Sequence, residues 1–175
     1  MAQNGFIKIE DTEGNILTQD ASTEVSMGSG FFTDHAEEAV LYHFVQNAIV
    51  PRNPSTGALS QVRHEPGAFT KPVDKSSALL WDALSKKTGL KITVVLMRDA
   101  TTAAGEEVAF TITYEGVKLV SAQLVQPDTA AESTTGDAGS GSPLQETFEF
   151  VYDKAQWDGP DGSTSNYNRT ETAAA

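Results

Sequence analysis

HEPGAFTKPVDKSSALLWDALSKKTGLK, residues 64–91, decides how the chain is read. It holds one amphipathic helix in a chain whose other apolar runs follow the strand period. Asp74 or Ser76 supplies the N-cap, because a short oxygen-bearing side chain accepts from the orphan amides of a first turn. Leu80, Ala83, Leu84 and Lys87 fall on one face at helical spacing, flanked by Leu79 and Trp81. Lys86 and Lys87 sit where the negative end of the helix dipole favours cations, and Gly89 suits a left-handed stop. The spacing predicts a helix over about 76–88. Its packing face, Leu80, Ala83 and Leu84, meets either the chain's own sheet or a neighbouring subunit. Burial in the chain's own core is the plainer account.

On both sides of this helix the pattern is β. Phe6 to Ile9 alternates and stops at the turn Asp11-Thr12-Glu13-Gly14-Asn15. Ile16 to Val25 reads as a weaker strand, broken by Gly28-Ser29-Gly30. Glu38 to Val50 carries bulky residues at both parities, the pattern of a strand covered on two faces. Pro51 to Arg63 is a long polar connection that belongs on the surface. Ala68 and Thr70, with Val73 as an extension, read as a strand that Pro72 places at an edge or bulge. Ile92, Val94 and Leu96 share a face, and a turn follows at Ala103-Ala104-Gly105. Val108, Phe110, Ile112 and Tyr114 alternate most cleanly. Glu115-Gly116 reads as a break or bulge before a strand over Val117 to Val125. Phe148, Phe150 and Tyr152 mark the last long strand. Pro127 to Pro143 and Asp158 to Ala175 hold almost no large apolar residues to offset ordering entropy, so a mobile loop and a polar tail are expected.

The chain has 175 residues, enough for one domain with its own core, and 39% of them are hydrophobic. Its formal net charge of −12 argues against a nucleic-acid groove and against adhesion to anionic membranes. There is no cysteine, so neither disulfides nor thiolate chemistry enter. No secretory signal and no membrane span are legible, and no membrane insertion is expected.

The search for chemistry returns little. His35 stands beside Asp34, Glu37 and Glu38, but the spacing fits no metal pattern, and a solvated acidic turn is the better account. His43 lies in a strand and packs or bonds there. Gly139-Ser140-Gly141 lies in the low-complexity loop and is no nucleophile elbow. No phosphate loop precedes a helix. Asp158 to Ser163 is a weak echo of a calcium loop without its helices or terminal Glu. No catalytic residue, no metal and no cofactor is expected. A sheet framework with one helix and one protruding loop has few ways to cover its edges alone, which points to assembly.

Several segments in series resemble the Hcp (hemolysin-coregulated protein) family, the tube protein of bacterial type VI secretion systems. They are GFIKIED (5–11), SGFFTDHAEEAVLYHFVQNAIVPRNPSTG (29–57), HEPGAF (64–69), TKPVDKSSALLWDALSKK (70–87), ITVVLMRD, VAFTITYEGVKLVSAQLVQP and LQETFEFVYDKAQWD (144–158). The resemblance implies a mainly β fold, a compact β-barrel of two sheets with one flanking helix, over residues 1–158 as a single domain. Residues 159–175 are then a polar, flexible tail. It also implies hexameric rings that stack into a tube, within a contractile sheath and below a VgrG-type spike. Small effector proteins travel in the lumen, and the chain passes from bacterial cytoplasm to the outside without a signal peptide. The loop at about 51–63 resembles the family's projecting loop, so Arg52, Asn53, Ser55, Leu59, Gln61 and Arg63 become the inter-subunit candidates. A simple surface hairpin is the equal alternative for that loop. For the whole chain, the competing functions are a β-sandwich adaptor recognising a peptide or glycan and, more weakly, a hydrolase using His35 or His43.

Overall fold

Phe148, Phe150 and Tyr152 alternate along one segment and all three are buried. The computed structural model, which describes residues 5–27, 32–99, 106–126 and 144–169, builds the fold around such alternation. The strands are β1 Gly5–Asp11, β2 Ala39–Leu41, β3 His43–Val45, β4 Ala48–Ile49, β5 Arg63–His64 and β6 Gly67–Pro72. After them come β7 Leu90–Asp99, β8 Glu106–Val125, β9 Gln145–Val151, β10 Lys154–Asp158 and β11 Thr164–Asn168. A short helix α1 spans Glu24–Met27, and α2 spans Ser77–Lys86.

Neighbouring strands run in the order β2-β1-β7-β8-β9-β6-β3, with β10 and β11 added beside β8. Every pairing is antiparallel. The two ends of this order, β2 and β3, are consecutive pieces of one chain segment. Tyr42 joins them, and its N–H donates to the Thr70 carbonyl of β6 at 2.8 Å. The sheet therefore returns on itself as a barrel, the expected fold with one flanking helix. β8 is shared by both halves: its first part pairs with β7 and β10, its second with β9. Between them, Glu115 and Gly116 face the single Lys91 step of β7, a bulge that bends the strand. Gly116 has φ +65°, and a Cβ there would lie 2.5 Å from the Asp153 carboxylate.

Several expectations change. Glu38 to Val50 is three short strands, not one, and each takes a different partner: β2 with β1, β3 with β6, β4 with β5. Bulk at both parities reflects this change of partner, and Tyr42, Ile49 and Val50 stay exposed. Ile16 to Val25 makes an isolated bridge at Ile16 and then turns. Polar side chains replace the ladder there. Ile9 N–H donates to Thr18 Oγ1 at 3.1 Å, Thr18 donates to the Glu37 carbonyl at 2.8 Å, and Ser22 donates to the Glu38 carbonyl. Val108 to Tyr114 and Val117 to Val125 form one 20-residue strand, the bulge bending it without ending it. The helix stops earlier than Gly89, because Lys87 itself adopts the left-handed conformation at φ +55°. The polar tail contains a strand: β11 pairs along β10, and Tyr167 packs on the core. The expected breaks at 28–30 and 103–105 and the loop at 127–143 lie outside the described residues.

The inner face of β6 and β9 ends in charge. Gly67 faces Phe150, Phe69 faces Phe148, and Lys71 faces Glu146 across the ladder. Gly67 is required by the first pair, since a Cβ there would stand 2.5 Å from the Phe150 ring. Lys71 and Glu146 are fully buried. Lys71 Nζ lies 2.7 Å from Glu146 Oε1 and 2.8 Å from Asp74 Oδ1, and donates to the Pro72 carbonyl at 3.1 Å. The helix start belongs to the same cluster. Ser76 N–H donates to Asp74 Oδ1 at 2.8 Å, and Ser77 Oγ donates to Glu146 Oε1 at 2.7 Å. Of the two candidate caps, Ser76 holds the N-cap position without a side-chain cap bond, and Asp74 braces it by accepting from its N–H and hydroxyl. Lys71→Ala removes the cation and leaves two carboxylates in the interior. We expect a loss of about 3–5 kcal/mol in urea unfolding. A midpoint equal to wild type would show that the cluster adds nothing.

Candidate assembly surface

The candidate loop is a folded hairpin with its own ladder. β4 and β5 pair through Ala48–His64 and Ile49–Arg63, in a small sheet separate from the barrel. Beyond them Arg52 bridges Leu59. Asn53 builds the tip: its Oδ1 accepts from Ser55 N–H at 2.9 Å and Thr56 N–H at 3.2 Å. Its backbone N–H donates to the Ala58 carbonyl at 2.8 Å. Gly57 turns at φ +73° with the Arg52 guanidinium against it. Arg63 is held by Glu65, Nε to Oε1 at 2.7 Å. Arg52, Asn53, Ser55, Leu59, Gln61 and Arg63 are all exposed. The fold thus brings these six residues onto one protruding element. The backbone does not need another copy to hold its shape.

The helix face points inward. Leu80 and Ala83 are buried, and Leu84 packs partly buried against the core. Trp81 Nε1 donates to Glu146 Oε2 at 3.1 Å. The stripe therefore packs on the chain's own barrel and not on a neighbour.

A polar aromatic cluster at the hairpin's base was not legible in the sequence. Trp157 Nε1 donates to Gln46 Oε1 at 3.2 Å, and Tyr114 donates to the same oxygen at 2.5 Å. Gln46 Nε2 donates to Tyr152 Oη at 2.8 Å, and Tyr152 Oη lies 2.6 Å from His64 Nδ1. Burial raises the Tyr114 hydroxyl far above the ordinary phenol range and pushes that of Tyr152 up to about 12. Burial also pulls His64 below the usual histidine range. These groups come from the hairpin, β8, β10 and the end of β9. The signal that could have found them is parity, because Tyr114 and Tyr152 both fall on core positions with a hydroxyl to satisfy.

The other histidines carry no chemistry of this kind. His35 Nδ1 is 2.5 Å from Glu38 Oε2, and its ring stacks on Phe6 at 3.5 Å. His43 is exposed on β3 opposite Thr70. No group of three His, Cys, Asp or Glu placed to hold a metal occurs among the described residues. None of their helices is long and apolar enough to cross a membrane.

Exposed large apolar side chains occur at several places, Val25, Tyr42, Leu79, Trp81 and Val108 among them, and several fall on the hairpin and at the far ends of β8 and β9. On the hairpin, Leu59 is 71% and Val50 49% exposed, with Ile49 and Val62 nearby in the ladder. On the far ends of β8 and β9, Leu124 is 57% and Val120 48% exposed, next to Val125 and Leu144.

The model of the family described as type VI secretion system effector, Hcp, matches residues 6–158. The chain belongs to the Hcp family. It is 33% identical over 109 residues to the major exported protein of Pseudomonas aeruginosa, a match covering 61% of this chain. That match spans 62% of the relative's length, less than two thirds of it. A crystal structure of an Hcp protein superposes with a TM-score of 0.84 at 26% identity, covering 95% of this chain and 99% of the other. The secreted protein Hcp3 from Pseudomonas aeruginosa gives 0.76 at 25% identity, covering 95% and 98%. Hcp proteins are structural and non-enzymatic, which sets the hydrolase alternative aside.

The Gln46 amide ties three side chains of the Hcp barrel to the hairpin. Gln46→Ala strips partners from the buried Tyr114 and Tyr152 hydroxyls and from Trp157. The expected cost is about 1–3 kcal/mol for each group left unsatisfied. Chemical denaturation monitored by tryptophan fluorescence measures it, and an unshifted midpoint would contradict the role given to the amide.

Proposed function

We propose that this chain is the tube subunit of a type VI secretion system. Copies close into hexameric rings, and the rings stack around a lumen wide enough for small effector proteins. Contraction of the surrounding sheath drives the tube and a VgrG-type spike out of the cytoplasm. The observation that carries this reading is the pair of separate exposed apolar patches. A ring needs head-to-tail contacts, in which one surface of a copy meets a different surface of the next. The hairpin and the far ends of β8 and β9 on one protomer are such a pair. The chain through β11 acts as one domain in this reading, with Arg52, Asn53, Ser55, Leu59, Gln61 and Arg63 at the contact between copies.

Exposed aromatics give the adaptor alternative little support. Among the described residues the strongly exposed large aromatics are Tyr42 and Trp81, on separate elements, and the Trp81 indole is already engaged by Glu146.

Light scattering on purified protein tests the proposal. Wild type should show a mass near six chains, and strictly monomeric protein at all concentrations would reject it. Leu59→Asp and Val120→Asp each place a charge at one exposed apolar position away from the buried Lys71–Glu146 cluster. Each should lower the assembled fraction with thermal unfolding of the protomer unchanged, and assembly equal to wild type in both would remove the patches from the interface. The net charge of −12 opposes association at low salt. Raising ionic strength from 0.01 to 0.15 M shortens the screening length from about 30 to about 8 Å and should therefore favour stacking.

A further inference from the structure

His64 stands where the protruding hairpin meets the barrel. The hairpin's ladder lies outside the main sheet, so side chains at its base must fix its direction. The described side-chain hydrogen bonds from hairpin to barrel are those of Gln46 and His64. We infer that the His64–Tyr152 hydrogen bond is a pH-released pin. It holds the hairpin against the barrel while His64 is neutral and lets go when the ring takes a proton.

Hydrogen-bond direction carries the argument. The Trp157 indole can only donate, so the Gln46 atom facing it is the amide oxygen. That oxygen also receives the Tyr114 hydroxyl proton. The Gln46 nitrogen must then donate to Tyr152 Oη. With its lone pair so used, the Tyr152 hydroxyl proton is free to point at His64 Nδ1, 2.6 Å away. Tyr152 is buried, and an unused hydroxyl proton there would be costly. His64 Nδ1 is therefore an acceptor, and the ring is neutral with its proton on Nε2. Protonation at Nδ1 sets two donors against each other.

The carboxylates around the ring already face arginines. The His64 ring is stacked on Tyr167 at 3.7 Å and lies 6.1 Å from the Trp157 ring. A cavity of about 310 Å³ opens beside it, and the charged groups on its wall are Arg63, Glu65 and Arg169. Glu65 is already held by Arg63 at 2.5 Å, and Arg169 sits 3.7 Å from Asp153. Tyr152 keeps its proton throughout, since its hydroxyl is pushed up to about 12, and Tyr167 meets the ring by its face. Burial lowers the folded-state value of His64 below the ordinary ~6.5. The stabilisation is thus complete above ~6.5 and disappears as pH falls through the lowered value. The pin stands on the protomer's geometry and does not require the ring reading.

The chain has no cysteine, so Ser60→Cys offers a single attachment point for a nitroxide on the hairpin. Nitroxide mobility is recorded from about pH 8 to about pH 5, with the His64 ring followed by long-range proton–nitrogen NMR over the same range. The proposal expects the Nε2-protonated tautomer at the upper end and a rise in mobility with the same midpoint as His64. His64→Gln should abolish the rise. Tyr152→Phe should leave the hairpin mobile at every pH and move the His64 midpoint up towards ~6.5. Mobility that stays flat through the His64 titration overturns the pin. So does a proton on Nδ1 in the neutral ring, or a rise that persists in His64→Gln. Light scattering at each pH separates the two events: mobility that follows a change in mass instead of His64 protonation also overturns it.

Discussion

One buried ammonium group organises this molecule. Lys71 lies on the inward face of β6, directly beyond Phe69, where an apolar residue would ordinarily continue the core. A lone charge there would be prohibitive. It is tolerated because Glu146, Asp74, the Pro72 carbonyl and Ser77 surround it. The same contacts join three parts of the fold. β6 supplies the cation, β9 one carboxylate, and the approach to α2 the other. Register follows from this. Sliding β6 by one residue would turn Lys71 outward and Phe69 with it, and would strand Glu146 without a partner. The helix is docked by the same group, since Ser77 and Trp81 both reach Glu146.

This internal use of the helix determines what the exterior has left. Leu80 and Ala83 are spent on the barrel, and of the helix's large apolar residues Leu79 and Trp81 stay exposed. Further open apolar area lies on the hairpin and at the far ends of β8 and β9. Carboxylates distributed over the rest of the surface keep such a protein dispersed. The molecule thus combines a core locked by a buried charge cluster with apolar side chains left open on its surface.

Strand alternation in the sequence placed the long strands and their inward faces, while the barrel itself came from the family resemblance. Phe110, Ile112 and Tyr114 in β8, and Phe148 and Phe150 in β9, stand where their parity puts them. The helix face was legible for the same reason. Partner exchange was not, because Ala39 to Ile49 contacts three different strands and no period describes that. The turns at 16–23 were hidden by hydroxyls that bond to backbone two dozen residues away or nearer. Lys71 and Glu146 stand two residues from a core Phe on their strands, so parity points them inward, but nothing in the sequence pairs a Lys with a Glu 75 positions away. The hairpin's outline was visible in its Pro and Gly content, whereas its attachment through Gln46 and His64 depends on residues 68 to 111 positions apart in the chain.

β8 carries one more implication. It is a single covalent strand that crosses from one half of the barrel to the other at the Glu115–Gly116 bend. On the opposite side the crossing is made by 39–45, again unbroken backbone. One half of the barrel therefore cannot swing away from the other without bending continuous backbone at both corners, so the two halves move as a single rigid unit.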